Sequence, residues 1–564
     1  MDKKYSTLQE MLINSFSAYK NEPALGYVDG LDMTYGEIQK EVQQQIFRLA
    51  KMGIKSGDKV AIVGANSINW VVSYFSILSM GAVAVPILPD FTSDEISNVL
   101  LHSESRLVFV SGKLVSKINE KAKAALSSMI LLDNMGDLDK GSPTIDVKSV
   151  EAYSPMGSLS VDHFEVKPDD LASIIYTSGT TGSSKGVMLS HKNLSVNVHQ
   201  CAEVEPLQNG EVFLSMLPLS HTLENTGGLM LPFSYGGLVK YLTKPPTPSV
   251  LIPALKKVRP TYLMTVPLVI EKIFKLQIKS KFNKSPVLRK VYRIPVFRKI
   301  LHKMAGKKLY ETFGGRLKFY GIGGAKLDAS TERFLVEGKM PYAIGYGLTE
   351  TAPFACGDGV KHTRFQSTGR PVQSIEMRIN NPDPKTGEGE IWVKGENVMK
   401  GYYKEPEMTA KVLSKDGWFR TGDLGLLDKE NYLYIKGRIK SVIVGSSGEN
   451  IYPEEIESVI NRFQHVLESV VVERKGKLIA LVHFNIDELE GQFRHMKEEA
   501  IKHVEAKKEE AIKHVEAKKE ELLLELREFV NSKVNSFSRI QLAVFQVDPF
   551  EKTATKKIKR YLYK

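Results

Sequence analysis

The chain has 564 residues, more than one hydrophobic core usually organises, so we expect at least two domains. Its 42% hydrophobic and 25% charged residues are ordinary for globular proteins and exclude a wholly disordered, fibrous or multi-span membrane protein. The formal net charge of +12 favours anionic partners such as nucleotides, coenzyme A or lipid headgroups, and its sign does not choose among them.

Cysteine usage and the N-terminal sequence predict a cytoplasmic protein. The two cysteines, Cys201 and Cys356, are too few and too far apart for a zinc cluster or a disulfide framework. The sequence MDKKYSTLQEMLINSF lacks a continuous apolar stretch followed by a small-residue cleavage site. No secretory signal is therefore predicted.

The first strongly patterned stretch, Val60 to Pro89, contains no charged residue, and its second half approaches the length of a membrane span. We interpret it instead as a buried strand, helix and strand, because polar side chains, Gly81 and Pro86 interrupt the apolar run. The expected elements are a strand over Val60–Val63, a helix from a cap at Asn66 or Ser67 to about Met80, and a strand over Val83–Ile87.

From there to about Arg438, apolar runs alternate with amphipathic stretches and glycine-centred turns, which predicts a large α/β region. After Arg438 the chain becomes charge-rich. We therefore predict a large N-terminal domain over residues 1–437 and a small C-terminal domain over residues 438–564. Further strands are predicted over Leu171–Tyr176, Gly186–Leu189, Leu317–Tyr320, Ser469–Glu473 and Leu478–Phe484.

An internal repeat lies in the second segment. KEEAIKHVEAK occupies residues 497–507 and again 508–518, and KEELLLELREF is a degenerate third copy at 519–529. Because eleven residues are almost three helical turns, Ile501, Ile512 and Leu523 fall on one helix face. The repeat predicts a long, charged surface helix over residues 495–530.

A glycine- and hydroxyl-rich loop, YTSGTTGSSKGVMLSH, spans Tyr176 to His191 after a predicted strand. Its glycines permit close backbone approach to phosphate oxygens, its hydroxyls add donors, and its lysine adds a cation. It is not a Walker A motif, because the order here is Ser184, Lys185 and Gly186. Taken alone, the loop fits a flexible linker as well as a phosphate site.

Four more motifs follow in order: GYGLTET at Gly345–Thr351, GWFRTGDLG at Gly417–Gly425, GRIK at Gly437–Lys440 and TATKKIKR at Thr553–Arg560. With the loop, they resemble the acyl-adenylate-forming superfamily of acyl-CoA synthetases, adenylation domains and luciferases. The resemblance covers about Thr34 to Arg560. It implies an α/β fold with a large N-terminal domain of mixed sheets and packed helices, plus a small mobile α+β domain.

For the nucleotide, the resemblance implies that the glycine-rich loop holds the β- and γ-phosphates and that Tyr346 lies against the adenine. Glu350 would ligate Mg²⁺, a role that suits a hard carboxylate beside phosphate oxygens. Asp423 would accept hydrogen bonds from both ribose hydroxyls. The implied nucleotide-binding residues are Thr177, Ser178, Gly179, Thr180, Thr181, Gly182, Lys185, Gly324, Ala325, Gly345, Tyr346, Gly347, Thr349, Asp423 and Arg438. Without the family, Glu350 fits a solvated loop acid and Arg438 fits a structural ion pair.

In the last motif the resemblance implies a catalytic lysine, Lys557, acting with Thr349 and Glu350; without the family, the motif fits a basic solvated tail. The Lys557 cation would bridge the substrate carboxylate and the α-phosphate during in-line attack. The family usually has Gly-Lys-Ile here, whereas this chain has Lys556, Lys557 and Ile558, so the adjacent lysine stays an alternative.

The resemblance also implies a rotation between two half-reactions. Lys440 matches the hinge about which the small domain turns. GENIYPEEIE, from Gly448 to Glu457, resembles the loop that lines the coenzyme A tunnel after this rotation. Gly448 and Glu449 are therefore the implied CoA-binding residues, and thioester formation is the implied second step.

Three segments, 217–228, 258–274 and 319–327, look most like the long-chain fatty acyl-CoA branch of the family, although Leu268 stands where that branch often has arginine. His221 and Gly323 are the implied acyl-binding residues; a buried, satisfied histidine fits His221 equally. The branch implies ATP- and Mg²⁺-dependent activation of a long-chain fatty acid and its transfer to coenzyme A. The alternatives are a ligase for aryl or medium-chain acids, an acyl-AMP ligase loading a carrier protein, and an inactive nucleotide- or acyl-binding scaffold.

A basic region over residues 272–308 interleaves lysine and arginine with apolar residues. It would suit contact with an anionic membrane, where a fatty substrate is found, and it fits a solvated basic face equally. Nucleic-acid binding is not expected, because no nucleic-acid module accompanies the charge. We predict a cytoplasmic protein with peripheral contact to the inner membrane face; protein partners stay open.

Overall fold

The computed structural model describes residues 4–138, 151–177, 184–283, 285–444, 450–474, 476–485, 508–553 and 558–563. The chain divides into two compact units. The first comprises Met1–Arg378, Trp392–Thr421 and Leu427–Tyr434, and the second comprises Ile379–Ile391, Gly422–Leu426 and Ile435–Lys564. The predicted boundary near residue 437 stays a prediction, since two short segments upstream of it also group with the C-terminal unit.

The strands alternate with helices along most of the chain. In chain order they are β1 Pro23–Tyr27, β2 Asp32–Thr34, β3 Lys59–Val63, β4 Val83–Ile87, β5 Leu107–Val110, β6 Ser128–Leu131, β7 Asp137–Leu138, β8 Leu171–Thr177, β9 Lys185–Ser190, β10 Val212–Ser215, β11 Leu238–Tyr241, β12 Tyr262–Thr265, β13 Phe319–Ile322, β14 Tyr342–Gly347, β15 Phe354–Gly357, β16 Ile375–Asn380, β17 Gly389–Gly395, β18 Gly401–Tyr402, β19 Phe419–Leu427, β20 Leu433–Arg438, β21 Ile443–Val444, β22 Asn450–Ile451, β23 Val466–Arg474, β24 Lys477–Phe484 and β25 Leu542–Phe545.

The helices mostly follow strands, as expected for an α/β protein. The α-helices are α1 Leu8–Ala18, α2 Tyr35–Lys51, α3 Ile68–Ser79, α4 Ser93–Ser103, α5 Glu120–Ala125, α6 His191–Val204, α7 Leu231–Ser234, α8 Pro248–Val258, α9 Pro267–Lys272, α10 Ser280–Asn283, α11 Pro286–Arg293, α12 Pro295–Thr312, α13 Ala329–Glu337, α14 Pro406–Val412, α15 Pro453–Ile460 and α16 Lys508–Asn531. Glu224–Met230 and Ile273–Lys279 are π-helical, and Thr349–Thr351 and Ile439–Ser441 are short 3₁₀ turns.

Two eight-stranded sheets organise the first unit. Their strand orders are β15-β14-β13-β12-β10-β11-β1-β2 and β18-β9-β8-β4-β3-β5-β6-β7. Neighbours are parallel from β14 to β1 in one sheet and from β8 to β6 in the other, whereas the edges are antiparallel. These mixed sheets with packed helices confirm the predicted α/β class. A four-stranded sheet, β16-β17-β19-β20, contributes residues to both units.

The charge-free stretch forms a buried β3-α3-β4 unit. Ser67 caps α3 by accepting a hydrogen bond from the Trp70 amide at 3.1 Å, and β3 pairs in parallel with β4. All twelve residues of α3 except Asn69 are buried. Among the residues that the structure describes, no helix is long and apolar enough to cross a bilayer.

The second unit has its own core. Strands β23, β24 and β25 form a three-stranded sheet, against which helices α15 and α16 pack. Leu526 and Val530 of α16 are fully buried in this core, so the predicted surface helix supplies core residues at its C-terminal end. The part of the predicted 495–530 helix before Lys508 lies outside the described residues.

Candidate active site

The glycine-rich loop joins two antiparallel strands of the first unit. Thr177 ends β8, Lys185 begins β9, and the two residues are directly opposite each other in the ladder. A buried hydrogen bond from Ser173 Oγ to the Ala84 carbonyl at 3.0 Å ties β8 to β4. The predicted phosphate-binding residues between the two strands, Ser178, Gly179, Thr180, Thr181 and Gly182, lie outside the described residues.

The structure places a tyrosine beside Lys185 that sequence analysis did not identify. Strand β18 pairs antiparallel with β9, with Tyr402 opposite Val187. The Lys185 ammonium consequently lies 5.0 Å from the centroid of the Tyr402 ring, which is within range of a cation–π interaction. Tyr402 is only 5% exposed, so packing holds its ring in place beside the Lys185 ammonium.

Tyr402 also contacts the predicted magnesium ligand. Its hydroxyl donates a hydrogen bond of 2.8 Å to Glu350 Oε1. The backbone of Glu350 is held as well, because its carbonyl accepts from the Met399 amide at 2.9 Å. Lys185, Tyr402 and Glu350 therefore form one connected cluster, although Lys185 and Glu350 are 165 positions apart in the sequence.

Glu350 and its neighbour have the chemistry to hold Mg²⁺ beside phosphates. The carboxylate is half-buried on the 3₁₀ turn Thr349–Thr351, next to the Thr349 hydroxyl. Both are hard oxygen donors of the kind that Mg²⁺ prefers, and Mg²⁺ usually takes one or two carboxylates plus substrate phosphates and water. Within the described ranges, no cluster of three or more His, Cys, Asp or Glu side chains is placed to hold a metal. The residues present therefore fit a nucleotide-borne Mg²⁺.

The carboxyl ends of two parallel strands bring the remaining predicted residues of the first unit together. Strands β13 and β14 are in register through Ile322 and Ile344, so Gly323, Gly324 and Ala325 follow one strand where Gly345, Tyr346 and Gly347 end the next. Gly323 is buried, whereas Gly324 and Ala325 are exposed, and Gly324 has a φ of +87°. In open α/β sheets, ligands bind outside such strand ends.

Gly347 permits a close backbone approach at this edge. A Cβ atom at this position would lie 1.7 Å from the Pro353 carbonyl oxygen, far inside any real contact distance. The absence of a side chain at Gly347 therefore lets the Thr349–Thr351 turn fold back against β15. This close approach sets the position of Glu350, which lies on that turn.

His221 and Glu224 lie on the segment after β10. His221 is half-exposed, and its Nδ1 accepts from the Leu223 amide at 3.2 Å. Glu224 is 1% exposed, accepts from Ser215 Oγ at 2.5 Å, and has its pKa raised to about 8 by burial. The half-exposed His221 does not match a fully buried core histidine.

The two residues predicted to bind the ribose, Asp423 and Arg438, belong to the second unit. Arg438 Nε lies 2.9 Å from Asp423 Oδ1, and the Asp423 carboxylate is buried while the guanidinium is half-exposed. The Gly422 amide donates to Glu390 Oε1 at 3.2 Å, which fixes the backbone just before Asp423. The structure therefore joins Asp423 to Arg438, as both the ribose site and the structural ion pair require.

The predicted hinge and catalytic tail also belong to the second unit. Lys440 is exposed on the Ile439–Ser441 turn. Gly448 and Glu449, predicted to bind CoA, and the candidate lysines Lys556 and Lys557 lie outside the described residues. The residues flanking the lysines are fixed: Lys552 and Ile558 form an antiparallel bridge.

Arg560 anchors the chain beyond that bridge. Its Nη1 donates to the buried Glu457 Oε1 at 2.6 Å, and the Val471 amide donates to the same oxygen at 2.6 Å. Burial raises the pKa of Glu457 to about 7, and the Arg560 charge opposes this rise. The ion pair ties the tail to α15 and β23.

Known proteins resemble this chain over most of its length. The family model described as AMP-binding enzyme matches residues 14–403. The long-chain-fatty-acid–CoA ligase of Yersinia pestis is 28% identical over an alignment of 498 positions, and the match covers 83% of this chain and 83% of that protein. The chloroplastic long-chain-fatty-acid–[acyl-carrier-protein] ligase AEE15 of Arabidopsis thaliana is 28% identical over an alignment of 554 positions, and the match covers 84% of this chain and 75% of that protein.

Solved structures share the fold. O-succinylbenzoate coenzyme A synthetase from Bacillus subtilis, in complex with ATP and magnesium ion, superposes with a TM-score of 0.72 at 22% identity, covering 98% of each chain. The anthranilate CoA ligase AuaEII, in complex with anthranoyl-AMP, gives a TM-score of 0.75 at 18% identity, covering 100% of this chain and 97% of that one. These likenesses confirm the predicted adenylate-forming ligase fold. The chain belongs to the AMP-binding enzyme family.

Proposed function

We propose that this enzyme uses Mg·ATP to activate a long-chain fatty acid as acyl-AMP and then transfers the acyl group to coenzyme A. A carboxylate oxygen of the acid attacks the α-phosphorus and pyrophosphate leaves. The CoA thiol then attacks the acyl carbonyl, AMP leaves, and acyl-CoA is released. The observation that carries the proposal is the Lys185–Tyr402–Glu350 cluster beside the predicted phosphate loop in a chain of the AMP-binding enzyme family.

The phosphates have a defined set of proposed partners. The loop from Thr177 to Lys185 would hold the β- and γ-phosphates, and the Thr349 hydroxyl would bond the α-phosphate. Bound at Glu350, Mg²⁺ would neutralise charge on the phosphate oxygens. Tyr402 positions Glu350 and flanks Lys185, so it keeps the two groups in a fixed relation.

The nucleoside and acyl groups have separate proposed partners. Tyr346 would lie against the adenine, with Gly324, Ala325, Gly345 and Gly347 forming the surrounding backbone. The paired Asp423 and Arg438 would bind the ribose, and His221 and Gly323 would border the acyl chain.

The two half-reactions would use different faces of the second unit. Lys557 would stabilise the charge that develops as the carboxylate attacks the α-phosphorus. A turn about Lys440 would then replace it with the Gly448–Glu449 segment at the CoA site. Lys556 is the alternative catalytic group.

The direct test is pyrophosphate release with ATP, Mg²⁺ and a series of saturated fatty acids, each run with and without coenzyme A. Release that is greatest with long chains and turns over only with coenzyme A supports the proposal. Release with none of the acids contradicts it and favours an inactive scaffold. Lys557→Ala should abolish acyl-AMP formation yet spare thioester formation from supplied acyl-AMP, and Lys556→Ala is the matched control.

A carrier protein is the second candidate acceptor, because the Arabidopsis relative is named as an acyl-carrier-protein ligase. Replacing coenzyme A with a phosphopantetheinylated carrier protein in the same assay separates the two acceptors. Aryl and medium-chain acids in the substrate series test the remaining alternative.

We also propose a cytoplasmic location with peripheral contact to an anionic membrane. The basic composition of residues 272–308 supports this, since a membrane is where long-chain fatty acids concentrate.

A further inference from the structure

Helix α12, Pro295–Thr312, has a buried side and, opposite to it, an exposed side with apolar residues. His302, Gly306 and Leu309 are buried. On the other side, Val296, Ile300 and Met304 follow one another at four-residue spacing and are 65%, 51% and 67% exposed. Phe297 lies beside them and is 49% exposed. These four residues, the outer stripe, are not used by the core.

Contacts on the buried side fix which way α12 faces. Arg298 makes a two-pronged ion pair with Glu337 of α13, with distances of 3.1 and 2.8 Å, and His302 Nδ1 lies 2.7 Å from the same carboxylate. Gly306 packs so closely on Gly338 that a Cβ would lie 2.3 Å from its carbonyl oxygen. The helix is held in this orientation, so the outer stripe stays at the surface.

Helix α11 is fixed beside α12 and extends the same surface. The Tyr292 hydroxyl lies 2.9 Å from His302 Nε2, which joins the two helices. Val287 of α11 is 71% exposed and Ile294, between the helices, is 46% exposed. Exposed apolar groups from two helices therefore occur together here, which is unusual for a solvated surface.

The charged side chains of α11 and α12 are all basic except Glu311, which is exposed near the C-terminal end of α12. No aspartate or glutamate occurs in the sequence between Glu271 and Glu311. The exposed cations on the two helices are Arg289, Lys290, Arg293, Lys299, Lys303, Lys307 and Lys308. In a purely solvated basic face, nothing favours exposed apolar side chains such as Phe297 and Ile300 among the cations. A helix at a membrane interface, by contrast, uses both its apolar side chains and its cations for binding.

We propose that the outer face of α11 and α12 docks on an anionic lipid bilayer, with the outer stripe entering the headgroup region and the surrounding cations pairing with lipid phosphates. The inference rests on the membrane contact proposed above and deepens it by naming the residues that would make that contact. It does not depend on turnover.

The test is co-sedimentation of the full chain with vesicles of phosphatidylcholine containing phosphatidylglycerol, compared with phosphatidylcholine alone. We expect binding to the anionic vesicles that weakens as salt rises. The double variant Phe297→Ser, Ile300→Ser should reduce the partition coefficient at least about tenfold, because two side chains lose apolar burial. Lys299→Glu with Lys303→Glu should reduce it more than about twentyfold, since each surface lysine contributes about fivefold.

A matched control exists on the same unit. Leu31 is 93% exposed, but it stands between Asp29 and Asp32, so Leu31→Ser should bind vesicles like the wild type. Melting temperatures and pyrophosphate release with detergent-dispersed acid would verify that each variant is folded.

Two results would overturn the proposal. One is that the wild-type protein does not bind anionic vesicles, or that the serine and glutamate double variants bind them as well as Leu31→Ser does. The other is a dimer in light scattering that dissociates in the Phe297→Ser, Ile300→Ser variant, because a second copy would then cover the stripe. Loss of vesicle binding with intact pyrophosphate release separates this inference from the proposed reaction.

Discussion

The Tyr402 hydroxyl donates a 2.8 Å hydrogen bond to Glu350 Oε1, while the ring of the same tyrosine faces the Lys185 ammonium at 5.0 Å. One nearly buried side chain thus touches the proposed magnesium ligand and the proposed phosphate lysine. A hydrogen bond to an ionised carboxylate restricts its rotation, so Glu350 is oriented before any nucleotide arrives.

Tyr402→Phe should weaken the binding of Mg²⁺ at Glu350, while the phenylalanine ring stays beside Lys185. Loss of a hydrogen bond to a charged group is worth about 1.5–3 kcal/mol, which corresponds to about tenfold or more in an equilibrium. We expect the Mg²⁺ concentration for half-maximal pyrophosphate release to rise by about this factor. Tyr403→Phe is the matched control, because its hydroxyl contacts Glu104 at 3.3 Å instead. Equal behaviour of the two variants would contradict the role of Tyr402.

Glu224 should make stability depend on pH. Burial raises its pKa from 4.5 to about 8, so the folded chain binds this proton more tightly than the unfolded chain. The resulting stabilisation is fully present below about pH 4.5 and is lost as the pH rises through about 8. At about 1.4 kcal/mol per pKa unit, the effect amounts to a few kcal/mol.

Thermal melts from about pH 5 to about pH 9 would measure this effect. Glu224→Gln, which is neutral throughout, should flatten the decline in melting temperature between about pH 5 and about pH 8. Glu407→Gln, on an exposed part of α14, should keep the wild-type profile. A Glu224→Gln profile parallel to the wild type would show that another group causes the decline.

Gly347→Ala should disrupt the turn that carries Glu350. The added methyl group would lie 1.7 Å from the Pro353 carbonyl oxygen, so backbone has to move. Overpacking of this kind costs about 1–3 kcal/mol, and we expect a lower melting temperature with loss of acyl-AMP formation. Gly30→Ala is the control, since its Cβ would make only an ordinary 3.4 Å contact. An active and fully stable Gly347→Ala enzyme would refute the argument.

Asp423→Asn should weaken ATP binding. The amide keeps the shape of the carboxylate but loses its charge and one acceptor oxygen, so the ribose hydroxyls and Arg438 bind less well. We expect the KM for ATP to rise about tenfold or more with a smaller change in kcat. Initial rates of pyrophosphate release across ATP concentrations would show this, with Asp416→Asn on an exposed turn as the control. An unchanged KM would leave Asp423 only as a partner of Arg438.

The fold was predictable from the sequence where the pattern within a short segment determines its secondary structure. The cap at Ser67 and the apolar runs on either side fixed the β3-α3-β4 unit nearly to the residue. The strand predicted over Leu317–Tyr320 was wrong by two residues, because β13 is Phe319–Ile322. Pairing with β12 and β14 sets these bounds, and Leu317 is buried in the core without joining the ladder.

The candidate site was predictable where a motif carries it. Motifs located Thr177, Lys185, Glu350, Asp423 and Arg438, and the structure groups these residues within their respective units. Tyr402 was not predictable, because its role depends on β18 joining β9, which brings together residues more than two hundred positions apart (402 − 187). The roles of these residues stay predictions until the variants are measured.

The register that sets Thr177 opposite Lys185 makes the β8–β9 ladder sensitive to changes in length more than to changes in side chain. Successive strand residues point to opposite faces, so one residue inserted into or deleted from β9 would either turn Lys185 away from Tyr402 or reverse the side chains that follow it. A two-residue change would restore the faces but move the lysine by about 7 Å along the strand. Among descendants of this sequence, we therefore expect length variation to collect outside the β8–β9 ladder, and a single-codon deletion within it to be more damaging than most substitutions there.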